Sequence, residues 1–378
     1  MKKIPVSQID TLFTNGSYPI EFLIYYRNPI DIDNIKTALK YLSTPFWPLF
    51  GEYRDGSIYA KTYSETDVIS EATIDTDFSA DRQCFAEIGN SVELVSGKLF
   101  HLRILRYTNG TVLIPKMNHL AGDGYSYFYF LYQLAVMSRT NALPLKKQFI
   151  RAVLAPRHNR TVLRDFQFDP FEIPVEKQPD NLVIKFKHIA KSAVRDQIKA
   201  IAADQNARVS SNDILAATVV KTSVELQSNS FGTTINLTIP MDVRNRIKPY
   251  GTKYFGNGLM FHKVSFATGD LQHATIDDIA VRIRKSMPDI SQNQYLEYLM
   301  QLETWITNKQ FADLKPYDPS TGCLVTNISK LPTNKLDFGS GNPDAVIPIT
   351  VGKNSVAIMA TKMITCCDWC IDWRCLIL

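Results

Sequence analysis

A proline-rich stretch, NALPLKKQFIRAVLAPRHNRTVLRDFQFDPFEIPVEKQPDN at residues 141–181, interrupts a chain that otherwise alternates strand-like and helix-like segments. With five prolines and little periodicity, it reads as a crossing segment rather than a core element. Before it, IEFLIYYRN (20–28) reads as a strand. DIDNIKTALKYLS (31–43) has Ile35, Ala38, Leu39 and Leu42 at helical spacing. WPLFGEYRDGSIYAKTY and KLFHLRILRYTNGTVLIPKMN each look like two strands, joined at Asp55-Gly56 and Asn109-Gly110. A helix after Gly124 should bury Tyr127, Leu131, Leu134 and Ala135 on one face.

Beyond the interruption the alternation resumes. NLVIKFKHI and TTINLTIPMDV read as strands; VRDQIKAIAADQN, SSNDILAATVVKTSVEL, ATIDDIAVRIRKSM and SQNQYLEYLMQLETWITNKQF read as helices. Thr275 and Asp278 stand at capping-box spacing. GCLVTNIS, AVIPITVG and SVAIMATKMIT are strand-like. A length of 378 residues suits two cores of moderate size better than one. The expected architecture is α/β: a first domain over 1–145, a crossover over 146–181 and a second domain over 182–378. Each domain is expected to be a mixed β-sheet with flanking helices.

The charge balance, 42 basic against 37 acidic residues, contains no block of consecutive Lys or Arg, so no nucleic-acid partner is indicated. MKKIPVSQID lacks the apolar core of a signal peptide. The longest apolar stretch, YSYFYFLYQLAVM, is short and broken by Ser and Gln, which argues against a membrane span. A cytoplasmic, soluble enzyme is the expectation. Cys367 and Cys370 form a CxxC, but only Cys366 and Cys375 are near, with no matching second pair, so no metal site is expected.

MNHLAGDGYSYFYFL (117–131) follows the apolar run TVLIP and opens an aromatic-rich helix. His119 precedes Asp123 by four positions, and Gly122 and Gly124 flank that aspartate. A lone histidine near an apolar strand is more often a hydrogen-bonded structural residue than a catalyst. At the end of a buried strand beside a glycine turn, however, an imidazole projects into whatever cavity the sheet ends face.

HLAGDG matches the HxxxDG motif of the BAHD acyltransferases, shared with chloramphenicol acetyltransferase and the condensation domains of peptide synthetases. Other matches follow in the family's order. VSQID, with Ser7 and Asp10, resembles its opening LSxxD, and FWPLFGEYR resembles its YPLAGR. SSNDILAA (210–217) resembles the segment that opens its second domain. IPMDVRNRIKPYGTKYFGNG, with Arg244, Arg246 and Tyr254 to Gly258, is similar to its VNxRxR…YFGN block. LDFGSG (336–341) matches DFGWG except that Ser340 replaces the tryptophan.

The resemblance implies two chloramphenicol-acetyltransferase-like domains with an active-site channel at their interface. It implies transfer of an acyl group from acyl-CoA, as co-substrate with no permanently bound cofactor, to a hydroxyl or amine of a small acceptor. His119 would be the general base, and no acyl-enzyme would form. Asp123, with Gly124, would act structurally by pairing with Arg244. Thr326, in LVTNIS, would donate to the oxyanion, although Ile328 stands where the family has a tryptophan. Asp337 and Gly339 would shape a loop around the coenzyme channel. Ser210, Ser211, Arg284 and Lys285, with Arg282, are candidate contacts for the coenzyme's phosphates, and a solvated helix face is the competing reading. The family expectation is a monomer.

Two other readings stay open: a carrier-protein donor, and a non-catalytic binding or scaffold protein on the same fold. The terminal CLIL fits a C-a-a-X box, with Cys375 as the lipidated residue and membrane association as the consequence. The competing reading is a final strand or helix whose cysteines are buried.

Overall fold

The computed structural model describes residues 2–79, 94, 97–139, 155–169, 182–227, 232–349, 352–363 and 366–376. Of the expected crossover, 146–154 and 170–181 lie outside the described residues, as do the last two residues of CLIL.

The first half begins with β1 (Lys3–Pro5) and β2 (Ile20–Tyr26), followed by helix α1 (Ile32–Leu42). Asp31 caps α1 by accepting from the Asn34 amide, and Ile35, Ala38, Leu39 and Leu42 are buried. Residues Trp47–Phe50, which the apolar run suggests as strand, form a 3-10 turn. The hairpin β3 (Glu52–Arg54) and β4 (Ser57–Tyr59) closes on Asp55 and Gly56, with φ of 47° and 69°. Two positive φ values in a two-residue loop match the right-handed twist of the strands. Short α2 (Glu65–Val68) leads into β5 (Ile69–Ile74), then β6 (Phe100–Tyr107), β7 (Gly110–Met117) and helix α3 (Gly124–Arg139).

The second half runs β8 (Leu182–Ile189), α4 (Lys191–Asp204), α5 (Ser211–Gln227), β9 (Thr234–Asp242) and β10 (Leu259–Ala267). Helices α6 (Thr268–His273), α7 (Ile276–Ser286) and α8 (Gln292–Thr307) follow. Thr275 and Asp278 make both bonds of the capping box at α7; Ser291 and Gln294 do the same for α8. The last strands are β11 (Gly322–Asn327), β12 (Ala345–Pro348), β13 (Ser355–Met363) and β14 (Cys366–Leu376).

These strands form two mixed sheets and a small antiparallel one. The first has the order β12-β2-β7-β6-β5, with only β5 and β6 parallel; the second, β10-β9-β11-β13-β14-β8, is parallel at β9-β11 and β11-β13. The third is β1-β4-β3. The mixed α/β, two-domain architecture is therefore present. One feature departs from the expected division at 182. Strand β12 lies within the second span yet pairs with β2, Ala345 opposite Tyr25 and Pro348 opposite Phe22. An open edge on β2 would leave a row of backbone donors and acceptors, and β12 covers it.

Two packing results matter for the site. Helix α3 is buried around most of its circumference, with Tyr127, Phe128, Phe130, Leu131, Leu134 and Ala135 at 1% exposure or less, rather than along one stripe. Such a helix is held by core on several sides. The core around it also includes Val243, Ile247, Tyr254 and Phe255 from the segment between β9 and β10, and Tyr295, Leu299 and Leu302 from α8. The second half thus completes the first half's core. No described helix is long and apolar enough to cross a membrane. Cys375 stands in β14 in register with Val183.

Candidate active site

Strand β7 lies inside the first sheet, and its end fixes the turn that carries His119. Asn118 accepts from the Leu120 amide through Oδ1 at 2.9 Å, and the His119 carbonyl accepts from Gly122 at 3.2 Å. Asp123 then caps α3, its carboxylate accepting from the Ser126 amide at 3.0 Å.

Asp123 is turned into the protein. Arg244 grips both its oxygens, at 2.8 and 2.9 Å, and the Gly258 amide donates at 2.9 Å. The guanidinium, 2% exposed, also donates to the Tyr254 and Gly256 carbonyls and to Ser126 Oγ. Burial pushes the Asp123 carboxyl up. Arg244 and the two amides more than offset that push, so it sits below the usual carboxylate value. A buried ion pair is tolerated only when its remaining hydrogen-bonding positions are filled, as they are here.

His119 therefore has a different partner. Its Nδ1 lies 3.1 Å from Oδ1 of Asn257, a residue with no exposure. The Asn257 amide nitrogen donates to Asp10 Oδ1 at 2.7 Å and to the His119 carbonyl at 2.9 Å. Asp10 is paired with buried Arg160 at 2.7 Å, and Arg160 also donates to the Leu120 and Ala121 carbonyls. Phe13 stacks on the imidazole with ring centroids 3.8 Å apart. Burial pushes the imidazole below its ordinary 6.5, against the opposing pull of Asp123, of the ring's own backbone carbonyl and of Asn257. A neutral ring able to accept a proton is the result.

His119 opens on a cavity of about 390 Å³ whose walls come from both large sheets. Asp123, Gly124, Arg244 and Thr326 line it as well, with apolar surface from residues such as Phe22, Met241, Phe261 and Leu331. Thr326 belongs to β11 and is in register with Ala357 of β13. Among the described residues no hydrogen-bond partner engages its hydroxyl. The neighbouring Asn327 bonds Asn212 at the start of α5, at 2.9 Å. The arrangement offers a neutral base, the Thr326 hydroxyl and a largely apolar chamber, a set suited to polar addition at a carbonyl.

The structure does not bring every expected residue to this cavity. Asp337 accepts from the Gly339 and Gly341 amides and pairs with Arg139, the last residue of α3. At 1.5 Å per residue that is about 22 Å along α3 from Gly124. Ser210 and Arg284 both bond Asp213, whose buried carboxylate already occupies the α5 N-terminus. A phosphate there would meet a negative charge and donors already in use. Lys285 is exposed, and Arg282 donates to the Ser265 carbonyl. Ser211 begins α5 next to Asn212.

Sequence reading did not single out Asn257 or Arg160, nor the parts played by Ser126 and Asp10. Asn257 and Asp10 both stand in quoted motifs, but they are 247 positions apart. Arg160 comes from the segment read only as a crossover.

A family model described as "Transferase family" matches residues 77–368. Piperamide synthase of Piper nigrum is 21% identical over 286 residues, covering 73% of this chain and 59% of that protein. The chain thus matches less than two thirds of that relative's length. Spermidine hydroxycinnamoyltransferase 1 of Oryza sativa subsp. japonica is 20% identical over 298 residues, covering 71% and 67%. Among solved structures, vinorine synthase has a TM-score of 0.77 at 17% identity, covering 99% of this chain and 90% of that one. TRI101 of F. graminearum, solved with coenzyme A and T-2 mycotoxin, has a TM-score of 0.76 at 14% identity, covering 99% and 95%.

Proposed function

The chain belongs to the transferase family of BAHD acyltransferases, and from that premise we propose that it transfers an acyl group from an acyl-CoA thioester to a hydroxyl or amine of a small acceptor, with His119 as general base. The observation that carries the reading is His119 itself, on a cavity walled by both sheets and held through Nδ1 by Asn257. The similarly folded TRI101 was solved with coenzyme A, which supports coenzyme A as the carrier here.

In this mechanism Nε2 of His119 takes the proton of the acceptor O–H or N–H as that atom attacks the thioester carbonyl carbon. The C=O electrons move onto oxygen, and the Thr326 hydroxyl donates to the oxyanion. The C–S bond then breaks, the carbonyl re-forms, and the thiolate of coenzyme A takes the proton from Nε2. A positioned base contributes about a hundred- to ten-thousand-fold in rate. No acyl-enzyme is required. Ser126, the serine nearest the motif, is fully buried and spent on Arg244 and the Gly256 backbone, which supports direct transfer. Asp123 and Arg244 act as the clamp that holds the turn. For Ser210, Ser211, Arg284 and Lys285 to hold the coenzyme A phosphates, Ser210 and Arg284 would have to give up their bonds to Asp213.

Free-thiol release from a panel of acyl-CoAs, with and without mixed alcohols and amines, tests the reaction. The expected result is thiol release that depends on an acceptor. Thiol release at the same rate without any acceptor would contradict direct transfer, and silence with every acyl-CoA would point to a carrier-protein donor or to a scaffold.

A further inference from the structure

The Asn257 amide can be oriented from its neighbours alone. Its nitrogen faces the Asp10 carboxylate at 2.7 Å and the His119 carbonyl at 2.9 Å, and neither of those has a proton to give. Asp10 is an acceptor throughout: Arg160 lies 2.7 Å from Oδ2, the Ser7 amide donates to that oxygen at 2.8 Å, and Asn257 approaches Oδ1. The amide nitrogen must therefore point at Asp10, and the amide oxygen at His119 Nδ1, 3.1 Å away. An oxygen acceptor at that distance requires the proton on Nδ1.

We infer that Asp10 is a positioning residue for His119: held by Arg160, its carboxylate fixes the Asn257 amide, and the amide keeps the imidazole proton on Nδ1, leaving Nε2 as the basic nitrogen. The inference rests on the reading of His119 as the base and deepens it. Without the carboxylate, only the His119 carbonyl would hold the amide nitrogen, and the amide could rotate to offer its N–H to Nδ1 in competition with that carbonyl's own interaction with the ring. The proton would then sit on Nε2, the nitrogen that has to accept one. Ring position is secured separately by the Phe13 stack, so the loss would be of tautomer rather than of place. The charged groups facing the ring from the packed elements are Asp123 with Arg244, and Asp10 with Arg160. Among the described residues, only the second pair reaches the imidazole through a hydrogen-bonded chain.

The test reads the tautomer directly. The full chain has six histidines, so selective ¹⁵N-imidazole labelling gives a sparse spectrum in which His119 is found by its loss in His119→Ala. In wild type at neutral pH the shifts and couplings should report the Nδ1–H tautomer. In Asp10→Asn the ratio of Nε2–H to Nδ1–H should rise by about tenfold, the loss expected when one charge-assisted hydrogen bond goes. Asn257→Ala leaves the Asp10–Arg160 pair intact and should give the same shift, so it decides the matter if Asp10→Asn fails to fold. A wild-type Nε2–H tautomer, or variants that keep the wild-type ratio, would overturn the inference. No acyl donor or acceptor is present in this measurement, so its result is separable from whether the chain transfers acyl groups.

Discussion

At the residue scale, the site divides its polar side chains between two tasks. Asp123 and Arg244 spend their charge on each other and on the backbone around them, so neither can serve as a proton relay. Replacing Asp123 with Asn should leave buried Arg244 with only the partly exposed Asp242, 3.2 Å away, as counter-charge, at a cost towards the lower end of about 3–5 kcal/mol. Chemical denaturation would read that as a lowered midpoint, and a midpoint within 0.5 kcal/mol-equivalent of wild type, about the usual surface-substitution effect, would refute the clamp. Thr326 is the opposite case, a hydroxyl on the cavity wall that no described residue engages. Thr326→Val should lower kcat by about a hundred- to a thousand-fold with little change in stability, and Thr326→Ser should restore most of the rate. Equal rates for Val and Ser would remove the hydroxyl from the mechanism. His119 and Asp123 were legible in the sequence because they sit together in one turn. Asn257, Asp10 and Arg160 were not, because their meeting depends on three distant segments converging, and no periodicity encodes that.

At the scale of elements, the segment between β9 and β10 is the part that joins motif to fold. It brings Arg244 to Asp123 and Asn257 to His119, and its backbone threads close to the guanidinium. A Cβ added at Gly258 would stand 2.8 Å from Arg244 Cζ. Gly258→Ala should therefore push Arg244 off Asp123, lowering both activity and the denaturation midpoint; an alanine variant with wild-type values for both would show that the segment has slack. Helices with strong caps, such as α1 and α7, were readable because their signals are local. The strand β12 was readable as a strand but not as a member of the first sheet, since pairing across more than 300 positions leaves no mark in the apolar pattern. The three-residue strands β1, β3 and β4 depend on each other for pairing, and of these only the β3–β4 hairpin carried a turn signature. Strand β10, paired along its whole length with β9, carried too irregular an alternation to be read.

At the scale of the whole molecule, the two halves share one core around α3, and imidazoles in or against the packed interior, buried His101 and half-buried His119 and His158 among them, set how that core meets acid. Burial pushes His101 and His158 down to about 4, and it lowers His119 as well. Above the ordinary 6.5, folded and unfolded forms of these rings are both neutral and contribute nothing to pH dependence. Between there and about 4 the unfolded chain binds protons that the folded chain refuses, so stability must fall as the pH drops. Urea unfolding at about pH 7 and about pH 5 should show a lower midpoint at the acid value. An unchanged or higher midpoint would mean that these rings take up protons without strain. The central claim concerns one of the three, His119. The measurement that tests it most directly is acceptor-dependent thiol release by His119→Ala beside wild type, with coenzyme A binding followed in both. The account predicts a loss of about a hundred- to ten-thousand-fold in kcat with coenzyme A binding retained. Thiol release unaffected by the substitution would contradict His119 as the base.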